Sequence, residues 1–190
     1  MRRGPYVQIR LVPYETRHIH PVFEAVRESI AEVSPWMPWC HPEYGLADSE
    51  AWVKTSIEAF QSKATFECVI ESLDARVLGC AGLNEIDSVN QRCNLGYWVR
   101  TSETRRGVAT RAVRAIADWA FRETELVRLE ILISAENNPS RRVAEKSGAH
   151  QEAVLRSRLL IHGRFHEAAL YSIVRGRPLT SRTHALQKSE

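Results

Sequence analysis

Trp98-Val99-Arg100-Thr101-Ser102-Glu103-Thr104-Arg105-Arg106-Gly107-Val108-Ala109-Thr110 decides how this chain is read. A strand-like run ends at Val99, a polar loop follows, and Arg106 to Phe121 repeats apolar residues at helical spacing: Val108, Ala112, Val113, Ile116, Ala117 and Ala120. A strand end that feeds a helix through a short loop suits a diphosphate. First-turn N–H groups lack partners inside the helix, the helix dipole is positive there, and Gly107 lets an anion approach the backbone. Arg105 and Arg106 add positive charge. On its own the stretch reads equally well as a basic helix start with a permissive glycine.

Outward from this junction, Arg92 to Val99 is the last of three strand-like runs. Thr65 to Glu71 and Arg76 to Leu83 precede it, with turn-prone Ser72-Leu73-Asp74 and Asp87-Ser88-Val89-Asn90 between them. They predict an antiparallel meander. Leu126 to Ile133 is rich in β-branched residues, so strand, helix and strand from 92 to 133 predict a parallel crossover. Upstream, Val7 to Val12 reads as a strand. A helix capped by Thr16 follows, with Ile19, Val22, Phe23, Val26 and Ile30 on one face. A second helix starts at Asp48 and runs through Trp52, Val53, Ile57 and Phe60. Between them Ser34-Pro35-Trp36-Met37-Pro38-Trp39-Cys40-His41-Pro42 holds three prolines, which exclude a regular helix. Downstream, Pro139 opens a helix that Gly148 closes, and strands at Glu152 to Ile161 and Arg164 to Val174 surround a His162-Gly163 turn. The fold class is therefore α/β, of the α+β kind, with seven strands in a mixed, mostly antiparallel sheet and about four helices. One domain over 1–175 is expected, with 176–190 a disordered tail.

Composition narrows the function classes. The 190 residues are 44% hydrophobic and 26% charged, the mix of one domain with a real core. A net charge of +3, from 26 basic and 23 acidic residues, is too slight to argue for nucleic acid or a membrane surface. Cys40, Cys68, Cys80 and Cys93 form no C-x-x-C pair, and three of them sit in apolar runs. They read as buried thiols of a reducing compartment, with no metal site. Residues 1 to 10 lack the apolar run of a signal peptide, and no stretch is long and apolar enough to span a bilayer, so a cytoplasmic location without membrane attachment is expected.

The loop at 104–109 resembles the acetyl-CoA loop of the GNAT superfamily of acetyltransferases, Gln/Arg-x-x-Gly-x-Gly/Ala, at the same strand-to-helix junction. Gly107 and Ala109 match it, and Thr104 departs from it at the Gln/Arg position. A second match lies in Asn137-Asn138-Pro139-Ser140-Arg141-Arg142-Val143-Ala144-Glu145-Lys146-Ser147-Gly148-Ala149, which resembles the family segment N-x-x-S-x-R-V-x-E-K-x-G-F. Three further features resemble the RimJ/RimL-like branch, the ribosomal-protein N-terminal acetyltransferases: Trp36-Met37-Pro38-Trp39, Gly96-Tyr97-Trp98 and the 162–167 hairpin.

The resemblance implies a GNAT fold and an N-acetyltransferase that uses acetyl-CoA. It would move the acetyl group directly to a primary amine, on a protein N-terminus or a small molecule, through a tetrahedral intermediate, as a monomer or homodimer. It places the coenzyme on Trp98, Val99, Thr104, Arg105, Arg106, Gly107, Val108, Ala109, Thr110, Asn137, Ser140 and Arg142. The backbone N–H of Val99 would meet the acetyl carbonyl, Asn137 the pantetheine amides, and the Ser140 hydroxyl the departing sulfur. Asn137 and Ser140 read equally as helix-capping residues. The carboxylates that serve many relatives as base are absent, since Asn94 and Leu159 stand at those positions. This leaves His41, Glu43 and Tyr44 as acceptor-side candidates, of which His41 is most easily poised as a base near neutral pH, with Trp36 and Trp39 completing an amine wall; alternatively no base exists and the neutral fraction of the amine is taken from water. A plain packing role for the tryptophans stays open. So does a non-catalytic acyl-CoA-binding regulator, on the strength of the missing carboxylates.

Overall fold

The computed structural model describes residues 7–176. In chain order these form β1 (Ile9–Pro13), α1 (Ile19–Val33), α2 (Leu46–Gln61), β2 (Phe66–Ser72), β3 (Val77–Asp87), β4 (Arg92–Val99), α3 (Val108–Glu123), β5 (Arg128–Ser134), α4 (Asn138–Ser147), β6 (His150–Ile161) and β7 (Arg164–Val174). The seven strands make one sheet in the order β1-β2-β3-β4-β5-β7-β6. Every neighbouring pair is antiparallel except β4 and β5, joined in parallel through α3. That is the meander and crossover expected from the period-2 runs and the amphipathic helix between them. The tail expected beyond residue 176 lies outside the described residues.

Local chemistry sets the boundaries. Thr16 is not the cap of α1. It belongs to a 3-10 turn over Thr16–His18, and the Glu15 N–H donates to His18 Nδ1 at 2.9 Å, so the helix starts later, at Ile19. Asp48 likewise lies inside α2, three residues after Gly45, whose N–H donates to Asp48 Oδ2 at 2.8 Å. At the other end of the chain the His162-Gly163 turn has φ of 45° and 76° at its two residues, the left-handed pair that a two-residue hairpin needs.

Two helical layers cover the sheet. Val22, Val26 and Val53 from α1 and α2 pack on Val69 of β2 and on Val77 and Cys80 of β3. On the opposite face Val113, Ile116 and Ala120 of α3 and Ala144 of α4 pack on Leu95, Leu129, Ile131 and Tyr171. Each buried valine or isoleucine contributes about 1.5–3 kcal/mol. The four cysteines are free thiols, with Cys40, Cys80 and Cys93 buried and Cys68 half-buried. Among the described residues no helix is long and apolar enough to cross a membrane, and no cluster of His, Cys, Asp and Glu is placed to hold a metal ion.

Strands β3 and β4 approach closely at Gly79, beside the irregularity where the β2–β3 register shifts. Its φ is +150°, and a Cβ there would lie 2.2 Å from the Trp98 carbonyl oxygen and 2.8 Å from Val99 Cα. These are backbone atoms of β4 and cannot swing away. Gly79→Ala should therefore destabilise the protein by about 2 kcal/mol, read as a lower urea midpoint with an unchanged slope.

Candidate active site

The site is organised around the C-terminal half of β4. Parallel pairing with β5 covers only Arg92 to Asn94, opposite Arg128 to Glu130. On the other edge β4 stays paired with β3 as far as Val99, and the Arg100 N–H donates to the Leu78 carbonyl at 2.8 Å. Hydrogen bonding alternates along an antiparallel strand, so if Arg100 points its N–H to β3, Val99 and Tyr97 point theirs to the edge that β5 has left. A polar backbone edge thus opens into a cleft.

Beyond β4 the chain turns sharply into α3. Arg105 and Gly107 have φ of 60° and 75°, and the first helical bond runs from the Arg111 N–H to the Gly107 carbonyl at 3.2 Å. The N–H groups of Val108, Ala109 and Thr110 precede it and face out of the helix end. The turn is tied to α1: the Thr101 N–H donates to Ser29 Oγ at 3.0 Å and the Ser102 N–H to Glu28 at 2.9 Å. Burial opposes ionisation of Glu28, yet the bonds from Ser102 and Arg100 hold its carboxyl at about 2.

Two of the expected coenzyme residues in this loop also have partners within the fold. Arg106 is not a loose cation. It donates to buried Glu103 at 2.6 Å, and Arg76 holds the second oxygen at 2.7 Å, so its guanidinium is fixed in a structural bridge in which two arginines share one carboxylate. Thr104 turns its hydroxyl onto the Thr101 carbonyl at 2.9 Å and so braces the loop from within. Arg105 stays exposed.

The Asn137 to Ser140 segment lies across the cleft. Asn137 caps α4, its Oδ1 accepting from the Ser140 N–H at 3.1 Å, which is the capping reading of that residue. Ser140 does more than cap. Its Oγ lies 3.0 Å from the Tyr97 hydroxyl, which also donates to the Ser140 carbonyl at 3.0 Å. Tyr97, absent from the sequence-derived set, is pushed up to about 12 by burial, which outweighs the Ser140 hydrogen bond. Arg142 is exposed on α4.

On the α1–α2 side, β4 forms the floor of a cavity of about 520 Å³. Val22 and Val26 of α1, Trp52 and Thr55 of α2, and Trp39, His41 and Tyr44 of the proline-bound loop enclose it. Trp39 stands 5.8 Å from Trp98 and 6.1 Å from Tyr44, centroid to centroid. The ring of Trp98, expected against the coenzyme, thus lines this second cavity. The wall leaves out two expected members: Trp36 is half-buried elsewhere in the loop, and Glu43 is exposed, 3.6 Å from His41 Nδ1. Tyr44 belongs, its phenol pushed up to about 12 by burial.

The floor holds residues that no motif marks. Glu67 of β2 is 8% exposed, and Asn84 donates to its Oε1 at 2.9 Å, while Asn94 donates to Asn84 at 2.8 Å. Burial raises the Glu67 pKa and the Asn84 bond only partly offsets it. Tyr14 donates to Cys80 Sγ at 2.7 Å and accepts from Trp52 Nε1 at 3.0 Å. The one available signal for Glu67 is a carboxylate inside an apolar strand run.

A polar backbone cleft on one side of β4 and an aromatic cavity on the other suit two substrates that meet at the strand. Among solved structures, that of the microcin C7 self-immunity acetyltransferase MccE with acetyl-CoA and AMP superposes with a TM-score of 0.83 at 19% identity, over 91% of this chain and 98% of that one. RimL, the ribosomal L7/L12 α-N-protein acetyltransferase, in complex with coenzyme A gives 0.82 at 18%, over 90% and 96%. In sequence the chain is 32% identical to YdaF of Bacillus subtilis over 102 residues, 54% of this chain, and so spans little more than half, 56%, of that relative's length. It is 21% identical to the ribosomal-protein-serine acetyltransferase of Escherichia coli over 155 residues, 82% of this chain and 86% of that protein. The family model described as Acetyltransferase (GNAT) domain matches residues 8–150, three quarters of the sequence, and the chain therefore belongs to the GNAT acetyltransferase family.

Proposed function

We propose that this protein is an acetyl-CoA-dependent N-acetyltransferase that acts on a primary amine, with a polypeptide N-terminus as the leading acceptor. The observation that carries the reading is the position of β4, with unpaired backbone and the open end of α3 on one side and the aromatic cavity on the other. The likeness to RimL and to the E. coli ribosomal-protein-serine acetyltransferase supports the choice of acceptor.

Acetyl-CoA supplies a thioester whose carbonyl carbon is electrophilic and whose thiolate can leave. The first-turn N–H groups of Val108, Ala109 and Thr110 would receive the diphosphate, with Gly107 permitting close approach and Arg105 adding charge. The Val99 N–H would donate to the carbonyl oxygen as negative charge develops on it. The Ser140 hydroxyl would protonate the departing sulfur. With the Tyr97 proton on the Ser140 carbonyl, the serine hydroxyl rests as donor to the phenol oxygen, and its proton would turn from there into the cleft as charge develops on sulfur. Trp39, His41 and Tyr44 would guide the amine. The acceptor is tested by incubating the protein with acetyl-CoA and a cell extract and identifying acetylated products by mass spectrometry. An unchanged product pattern would reject the assignment.

Three outcomes follow from these roles. Coenzyme A at a hundred times its Kd should stabilise the protein by about 2.7 kcal/mol, and Gly107→Glu should abolish the rise in Tm, since it adds a like charge and forces a side chain into φ of 75°. Ser140→Ala should lower kcat about a hundredfold while the acetyl-CoA Kd stays within about threefold, because an acid for the leaving group acts in the transition state. Trp39→Ala should raise the KM for the amine about tenfold at constant acetyl-CoA affinity, since it removes one wall of the acceptor cavity alone.

A further inference from the structure

The acceptor cavity contains one group whose charge packing does not explain. Glu67 enters from the middle of β2, a strand whose residues are buried on both faces, and its carboxylate fills the space left by Gly82 on β3. A Cβ at Gly82 would lie 1.8 Å from Glu67 Oε2. Oε1 is held by Asn84, which Asn94 holds in turn, whereas Oε2 has no donor among the described residues. Neither Lys nor Arg is among the residues that line the cavity. Burying an unpaired carboxylate is costly, and an apolar residue of similar size would relieve the cost, so the position is unfavourable for stability alone.

We propose that Glu67 is the catalytic base of the acceptor side, taking the ammonium group of the incoming amine against Oε2 and removing its proton. This rests on the acetyltransferase reading given above. The cation enters a cavity walled by Trp39, Trp52, Trp98 and Tyr14, whose ring faces favour a positive charge, and the buried carboxylate on its floor is Glu67, with Oε2 without a donor among the described residues. In the step itself one N–H bond of the ammonium breaks, its proton passes to Glu67, and the freed lone pair forms the C–N bond to the acetyl carbonyl carbon. The adduct's nitrogen then gives up its second proton to solvent, the oxyanion re-forms the carbonyl, and the C–S bond breaks with its electron pair on sulfur, which takes the Ser140 proton. Glu67 returns its proton to solvent as the amide leaves, and Ser140 recovers one from water.

The electrostatics agree with this role. Burial shifts Glu67 upward from the ordinary carboxylate range, towards the pH at which a base can take a proton from an ammonium yet remain ionised itself. The titratable groups around the same cavity are Tyr14, Cys80 and Tyr44, with Asp48 and His41 at its α2 and loop walls and Tyr97 on β4, whose phenol points to Ser140 and is pushed up to about 12 by burial. Cys68 is the titratable neighbour along β2. Burial pushes Cys80 up to about 12 and Tyr14 well above its usual value, so both are neutral while Glu67 titrates. Glu67 also explains why Asn94, where many relatives carry a glutamate, need not be acidic: the carboxylate reaches the same floor from β2, two strands away, and is joined to Asn94 through Asn84.

The test uses the full chain with acetyl-CoA and two probes, a short peptide with a free N-terminal alanine and phenethylamine, with release of free thiol as the readout. Wild type should turn over at least one probe, with kcat/KM falling as pH drops through the Glu67 titration. Glu67→Gln keeps the shape and the acceptor for Asn84, and it removes a charge that folding must bury, so it should fold with undiminished Tm near neutral pH. Its kcat/KM should drop a hundredfold or more and the acid limb should move to the pKa of the free amine, while the acetyl-CoA Kd stays within twofold. Asn84→Ala, which deletes a bond favouring the ionised form, should shift the limb to higher pH. His41→Ala should leave the limb in place whatever it does to KM. The proposal is overturned if Glu67→Gln keeps the wild-type pH profile, if His41→Ala removes the limb, or if wild type binds acetyl-CoA yet acetylates neither probe. Failure to bind acetyl-CoA at all would instead overturn the acetyltransferase reading.

Discussion

Backbone N–H and C=O groups inside a protein need partners, and β4 is the strand that leaves some of its own unmatched. Its ladder with β5 stops at Asn94 although the strand runs on to Val99. A sheet interrupted in this way is stable only if the gap is bounded by rigid neighbours. On one edge Gly79 lets β3 approach so closely that β4 cannot drift back. At its end, Ser29 and Glu28 of α1 hold the loop that leads into α3. The opened edge, the exposed first turn of α3 and the Tyr97–Ser140 pair all depend on that one divergence.

The two sides of β4 differ in chemistry because side chains alternate along a strand. Trp98, Gly96 and Asn94 face the α1–α2 layer and form the cavity floor, while Tyr97 and Leu95 face α3 and α4. Under the proposed function, one strand in the middle of the sheet would then serve both substrates without their sharing a pocket. The cleft is polar through its backbone, and the cavity is apolar through its aromatic rings, with a single buried carboxylate at its base. Such a carboxylate is tolerated where it meets a cation during function and costs stability when it does not.

Several of the proposed site residues have structural roles. Asn137 uses its side chain to cap α4, and Arg106 completes a bridge to Glu103 that Arg76 shares. Those contacts fix the loop in the shape that presents the helix end, so in the proposed role their contribution would be geometry more than charge.

Much of this was legible in the sequence. The period-2 runs, the proline-rich loop, the 92–133 crossover and the Asn137 to Gly148 helix follow from local propensity and spacing, since neighbouring residues decide them. Gly107 and the Asn137 segment could be read for the same reason, because a turn with positive φ or a cap is a short-range feature. What tertiary structure decided was long-range. Thr16 lost the role of cap to His18, because the chain there folds against buried Glu71, which His18 meets at 3.0 Å. Trp36 and Glu43 turned away from the cavity that Trp39 and His41 line, a choice made by packing and invisible in a loop of consecutive candidates. Glu67 could not be found from spacing at all. Its partners are 17 residues away on β3 and further still on β4, and only the register that sets Glu67 opposite Gly82 and Asn84 opposite Asn94 brings a carboxylate, an absent side chain and two amides to one floor.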